Sequence, residues 1–216
     1  MENVNESLAI AWEKFDHGDY AGAESIYLQC YDQISKTNNQ ILAAALMGLV
    51  YVEAFLKKFD EARKYGCILL NEAQNEEEKH IAIHQLAMVE RMAGKYIKAM
   101  ELLVEEERLL FDYFPSDPQR MSANLYEQGY VALNTSDYAQ AEKMMRMSLE
   151  CGIHAADDMC IGCAYRGLGE IMCATGQIEA AKDYFDKAVN SFNKAGDLIA
   201  AEELSSAILE LEYDST

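Results

Sequence analysis

LGEIMCATGQIEAAKDYFDKA, residues 168–188, places a leucine and a glycine (Leu168, Gly169) seven residues ahead of a turn at Gly176. Ile178, Ala181, Phe185 and Ala188 then follow at helical spacing. The centre of this stretch, a turn-forming residue before an aliphatic or aromatic one with alanine three positions later, recurs four times upstream. The copies are Gly18-Asp19-Tyr20…Ala23, Lys57-Lys58-Phe59…Ala62, Gly94-Lys95-Tyr96…Ala99 and Ser136-Asp137-Tyr138…Ala141. The five motif alanines are 39, 37, 42 and 40 residues apart, and self-similarity at such a period marks a stacked helical array. Twelve residues before each alanine stand Ala11, Val50, Ala87, Gly129 and Gly169, four of them small enough to let two helices touch closely. Each repeat therefore reads as a first helix ending near the turn and a second beginning at the aromatic residue. Apolar residues at three- and four-residue spacing, such as Ala99, Leu102 and Leu103 or Ala141, Met144 and Met145, support this reading. No β-type alternation competes with it.

Local punctuation sets the boundaries: Thr37-Asn38-Asn39, Asn75, Pro115-Ser116-Asp117-Pro118, Asp157-Asp158 and Gly196-Asp197. Asp117 before Pro118 is the clearest, a cap acceptor ahead of a proline whose missing N–H costs nothing in the first helical turn. The expected organisation is a single domain over 1–216, with repeats at about 4–37, 40–75, 78–114, 117–155 and 158–195 and a capping helix over 197–212.

This order of residues resembles the tetratricopeptide repeat family over about residues 4–195. It is best matched by Leu168-Gly169…Gly176…Ile178…Ala181…Phe185…Ala188 and by Leu86-Ala87…Gly94…Tyr96…Ala99…Leu103. Repeat two departs, with Val50 where a small residue is expected and Gly66 where a large one is. The spacing near 40 resembles the repeats of kinesin light chains and bacterial peptide-sensing regulators. The first repeat starts almost at Met1, so the extra N-terminal effector segment of those regulators is not expected here. The resemblance implies an all-α, right-handed solenoid whose first helices line a concave face.

On that implied face, positions counted from each small residue give Leu8, Trp12, Phe15 and Asp16; Met47, Tyr51, Ala54 and Phe55; His84, Met88, Arg91 and Met92; Tyr126, Tyr130, Leu133 and Asn134; Arg166, Glu170, Cys173 and Ala174. Aromatics and methionines offer large contact area of adaptable shape, so a protein or peptide is the expected ligand. The candidate partner-binding residues are Trp12, Tyr51, Phe55, His84, Met88, Arg91, Tyr126, Tyr130, Asn134, Arg166 and Glu170. Arg91 and Arg166 have the fork geometry to hold a carboxylate. The lysine and asparagine clamp with which some family members grip chaperone C-termini has no match here, since its positions hold Leu8/Trp12, Met47/Tyr51, His84/Met88, Tyr126/Tyr130 and Arg166/Glu170.

The chain has 216 residues and a formal charge of −19, which repels phosphate backbones and anionic headgroups, so neither nucleic acid nor membrane is an expected partner. No leader-like or membrane-length apolar run is present, and the six cysteines read as reduced thiols, giving an expected cytoplasmic location. The acids Asp197, Glu202, Glu203, Glu210, Glu212 and Asp214 read as the solvated face of the capping helix. A monomer or weak homodimer is expected.

Two constellations carry metal-ligand residue types: Cys151-x2-His154-x5-Cys160-x2-Cys163, and His80 with His84 one turn apart and Glu127 on the next repeat. The first is read as small buried residues at helical spacing, the second as solvent-facing or groove histidines, so no metal or cofactor is expected. Glu105-Glu106-Glu107 reads as a polar helix face, and no phosphate loop, nucleophile elbow or metalloprotease motif occurs. The expected function is a non-enzymatic adaptor. The alternatives are a signalling-peptide sensor that changes shape on binding and, from another class, a metal-dependent enzyme or metal-stabilised module.

Overall fold

The computed structural model describes residues 4–33 and 39–213; Met1–Asn3, the boundary residues Thr37 and Asn38, and Asp214 lie outside them. Among the described residues there are eleven α-helices and no strand: α1 (Val4–Asp16), α2 (Tyr20–Gln33), α3 (Asn39–Phe55), α4 (Phe59–Glu72), α5 (Glu76–Met92), α6 (Tyr96–Tyr113), α7 (Pro118–Asn134), α8 (Tyr138–Ala155), α9 (Asp158–Ala174), α10 (Ile178–Ala195) and α11 (Leu198–Tyr213). They gather into two compact units, Met1–Glu106 and Glu107–Thr216.

The turn motif explains itself in the backbone. Its first residue is left-handed in all five copies: Gly18, Lys57, Gly94, Ser136 and Gly176 have φ of 77°, 61°, 72°, 62° and 76°. The next N–H reaches back to a carbonyl five residues earlier, as Asp19 to Lys14 (2.9 Å), Lys58 to Glu53 (2.8 Å) and Gln177 to Met172 (2.8 Å), which satisfies the frayed end of the first helix. The motif alanine N–H then donates to the residue before the aromatic, opening the second helix at 2.9–3.0 Å in every copy. All five alanine side chains are fully buried where the paired helices meet. Lys57 and Ser136 hold a conformation that a Cβ disfavours. Lys57→Gly is therefore expected to stabilise the first unit by about 0.5–1 kcal/mol, measured by chemical denaturation.

Capping follows the sequence closely. Asp117, Asp157 and Asp197, each 40 residues apart, accept from the N–H of Arg120, Cys160 and Ala200 at 3.2, 2.9 and 3.0 Å. Asn75 caps α5 through Glu78 N–H (2.9 Å), and the Glu78 carboxylate accepts from Gln74 N–H (2.7 Å). In register with α9, α11 carries Glu202 and Leu209 where α9 has Gly162 and Gly169. Those two glycines face Phe192 and Phe185 of α10, whereas Leu209 is 56% exposed, so α11 has bulk where a first helix admits its partner.

Val50 and Gly66, the two departures of repeat two, face each other. A Cβ on Gly66 would come 2.6 Å from Leu86 and 3.8 Å from Val50, so the missing side chain on one helix makes room for the larger ones opposite. The core of the first unit gathers Leu46, Leu49, Val50, Ala54 and Met88; that of the second gathers Met145, Leu168, Phe185 and Phe192.

Glu53 is a buried acid of the first unit. Glu53, 3% exposed, lies 3.7 Å from Lys58, whose ammonium sits 2.5 Å from Glu24. Burial first, then the negative charge of Glu24, pushes the Glu53 carboxyl up to about 7, while Lys58 pulls the other way and Glu61 adds a little. The folded chain thus binds this proton more tightly than the unfolded chain, so stability falls as pH rises from about 4.5 to about 7 and is flat beyond. Glu53→Gln should remove that slope and stabilise the protein at pH 8 by on the order of 2 kcal/mol, as denaturation midpoints across pH would show.

Candidate functional site

In the first unit, α1 and α3 run side by side and enclose a cleft of about 400 Å³. Leu8, Ala9 and Trp12 form one wall, Ala44, Met47, Gly48 and Tyr51 the other, and Tyr27 of α2 the floor. The floor exists because Gly48 has no side chain: a Cβ there would run into the Tyr27 ring. Burial, with the negative charge of Asp16, pushes the Tyr27 phenol up to about 12, so it stays neutral at physiological pH. Phe15, Phe55 and Tyr20 extend the ring surface beyond the cleft. Trp12 stacks on Phe15 (5.4 Å between centroids) and meets Tyr51 edge-on (6.0 Å); Phe15 meets Phe55 edge-on (5.0 Å), and Tyr20 lies 5.2 Å from Phe55. Trp12 and Phe55 remain 46% and 42% exposed despite this packing. The Tyr51 hydroxyl accepts from Gln85 Nε2 of α5 at 3.1 Å, which fixes its ring.

The other candidates of this unit are placed differently. Met88 is 7% exposed and Ala54 fully buried; both are core side chains and do not face solvent. Arg91 is half-buried, beside Glu90, which takes both prongs of Arg63 at 2.9 Å. His84 lies 3.0 Å and His80 3.5 Å from the two oxygens of Glu106. Here the structure corrects two expectations: His80 is buried rather than solvent-facing, and Glu106, 2% exposed, is an interior carboxylate rather than part of a polar face. The three consecutive acids hid this, because a helix turns the middle one about 100° away from each neighbour.

In the second unit the candidates form a polar row. Tyr126 and Tyr130 of α7 meet edge-on at 4.8 Å, and Asn134 Nδ2 donates to the Tyr130 carbonyl at 2.7 Å. On α9, Arg166 Nε donates to Glu170 at 3.1 Å, and Glu170 also accepts from Tyr130. Burial, aided by neighbouring negative charge, raises both phenols, so they act as neutral donors. Burial works against the charge of Arg166, but Tyr130, Glu170 and Tyr126 outweigh it and hold the guanidinium protonated. Glu170 thus already engages one edge of Arg166. Asn134 is exposed; Tyr126, Tyr130, Arg166 and Glu170 are half-buried.

Burial pushes the thiols of Cys163 and Cys160 up to about 12 and 11 and raises that of Cys151. His154 is exposed, and among the described residues no three His, Cys, Asp or Glu side chains converge as a metal set. No helix among them is long and apolar enough to cross a membrane.

The chain matches no family model and no curated relative. Solved structures do match along nearly its whole length. A thermophilic TPR protein of Thermus thermophilus shares 17% identity over 96% of this chain and 100% of its own, with a TM-score of 0.68. A Rap protein complexed with Competence and Sporulation Factor shares 14% over 100% of this chain and 74% of its own (TM-score 0.70). BtubC from P. vanneervenii shares 18% over 89% of this chain and 81% of its own (TM-score 0.64). These likenesses run along the paired helices described above: the chain has the tetratricopeptide-repeat fold.

Proposed function

We propose that this chain is a non-enzymatic scaffold that binds a partner protein through a peptide segment, with an apolar side chain of that segment seated between α1 and α3. The observation that carries the reading is the cleft of about 400 Å³ with Trp12 and Phe55 beside it at 46% and 42% exposure. Leaving large aromatic surface in water forfeits roughly 25 cal/mol per Å², so a contiguous ring surface next to an open cleft fits a site that a partner covers. The ligand-bound state of a neighbour sharing this fold lends support. The polar row of Tyr126, Tyr130, Arg166 and Glu170 offers donors and acceptors that suit a peptide main chain or an acidic side chain. The six free thiols fit a reducing compartment such as the cytoplasm, with the chain a monomer or weak homodimer.

Trp12→Ala is expected to weaken partner binding by roughly tenfold to a hundredfold while lowering stability by less than about 1 kcal/mol, because Trp12 is half exposed and central to the ring surface. Capture from native extract on immobilised wild-type and Trp12→Ala chains, with melting curves of both, tests this. A partner retained equally by both would place binding elsewhere.

A further inference from the structure

The chemistry around the cleft also selects among possible peptides. The lining, chiefly Leu8, Trp12, Tyr27, Met47 and Tyr51, contains no charged side chain. Its α1 wall, however, is bordered by exposed Glu13, next to Trp12, and by exposed Asp16, one turn further on. Asp16 is close enough to the cleft floor for its charge to raise the Tyr27 phenol. The basic residues nearby are already committed: Lys14 lies 2.6 Å from Asp19 and Lys58 2.5 Å from Glu24. Residues 1–106 hold ten Lys and Arg against eighteen Asp and Glu, a net charge of −8. Among the described residues no lysine or arginine sits over Trp12, Phe15 or Phe55, although cations cover Tyr65, Phe114, Tyr165 and Tyr184 elsewhere.

We propose that the occupant of the α1/α3 cleft is a basic amphipathic peptide segment, one that seats a bulky apolar side chain in the cleft beside Trp12 and Tyr51 and lays lysine or arginine against Glu13, Asp16 and the exposed ring faces. Both components are needed. The apolar cleft supplies the anchor, and burying an acid there would leave its charge unpaired. Uncovered aromatic faces attract cations, by about 0.5–1 kcal/mol at exposed sites and more when dry. The surrounding acidity steers a cationic segment in and repels an acidic one within about a Debye length, roughly 10 Å at 0.1 M salt. This inference rests on the binding reading above and adds the partner's charge to it.

A random dodecapeptide library displayed on phage, panned in parallel against the intact chain and its Trp12→Ala variant, separates the two claims. Peptides recovered only on the intact chain are expected to combine Phe, Leu, Met or Trp with several Lys or Arg. Their synthetic versions should lose roughly tenfold in affinity between low and high salt, and also on Glu13→Lys/Asp16→Lys. Trp12-dependent peptides that are neutral or acidic, or whose affinity ignores salt, would overturn the basic-partner inference and leave the cleft reading standing. Recovery of the same peptides on both chains, or of none, would overturn both.

Discussion

Gly169→Leu is expected to abolish cooperative folding of the second unit. A Cβ on Gly169 would run into the Phe185 ring, which is 4% exposed and wedged between α9 and α10, so the ring has no space to yield. A leucine adds three further carbons to that collision, and overpacking of a fixed core costs about 1–3 kcal/mol even when smaller. Here the expected loss is about 4 kcal/mol or more. The chain itself contains the compensating arrangement, since Val50 occupies the equivalent position of repeat two and faces Gly66. Adding Phe185→Ala to Gly169→Leu should therefore recover more than half of the loss, although Phe185→Ala alone costs about 3–5 kcal/mol. Denaturation of the four-member cycle, followed by circular dichroism, checks this; additive losses would mean that the two side chains do not share one space.

Glu106→Ala should be nearly as damaging to the first unit. The carboxylate holds two imidazoles one helical turn apart on α5, at 3.0 and 3.5 Å, with almost no access to water. Removing it takes away the hydrogen-bond partner of His84 and the carboxylate 3.5 Å from His80, and leaves a cavity beside polar nitrogens, an expected cost of about 3 kcal/mol. Glu106→Gln keeps the size and one acceptor oxygen, so it should cost less than half as much. The contrast between the two variants in urea denaturation separates lost hydrogen bonding from lost volume. Equal effects would show that the carboxylate's charge and hydrogen bonding, and not its volume, matter there.

The helix pairs were legible because each turn carries a backbone requirement and each junction a size requirement, and both leave residues in sequence. Gly18, Gly94 and Gly176 mark the left-handed position, and Lys57 and Ser136 were found only by their spacing to Ala62 and Ala141. Most first-helix aromatics were also readable, since Trp12, Tyr51 and Phe55 follow from counting along the helix. Tyr27 was not, because it comes from a second helix and reaches the cleft only through the gap at Gly48. A glycine inside the run Ala44-Ala45-Leu46-Met47-Gly48 costs about 1 kcal/mol of helix propensity, and that cost was the available signal. Met88 illustrates the opposite failure: helical spacing puts it level with Trp12 and Tyr51, yet it packs into the core of the first unit. Glu106 escaped because burial of an acid depends on partners 22 and 26 residues away, His84 and His80, which no local pattern announces.

The most direct measurement of the central claim is a methyl and indole NMR titration of the intact chain with a peptide selected for binding to it. Chemical-shift changes and cross-saturation concentrated on the Met47 methyl and the Trp12 indole, with Met147 and Met159 unmoved, are the predicted result. Saturable binding that leaves Met47 and Trp12 unperturbed would contradict the account.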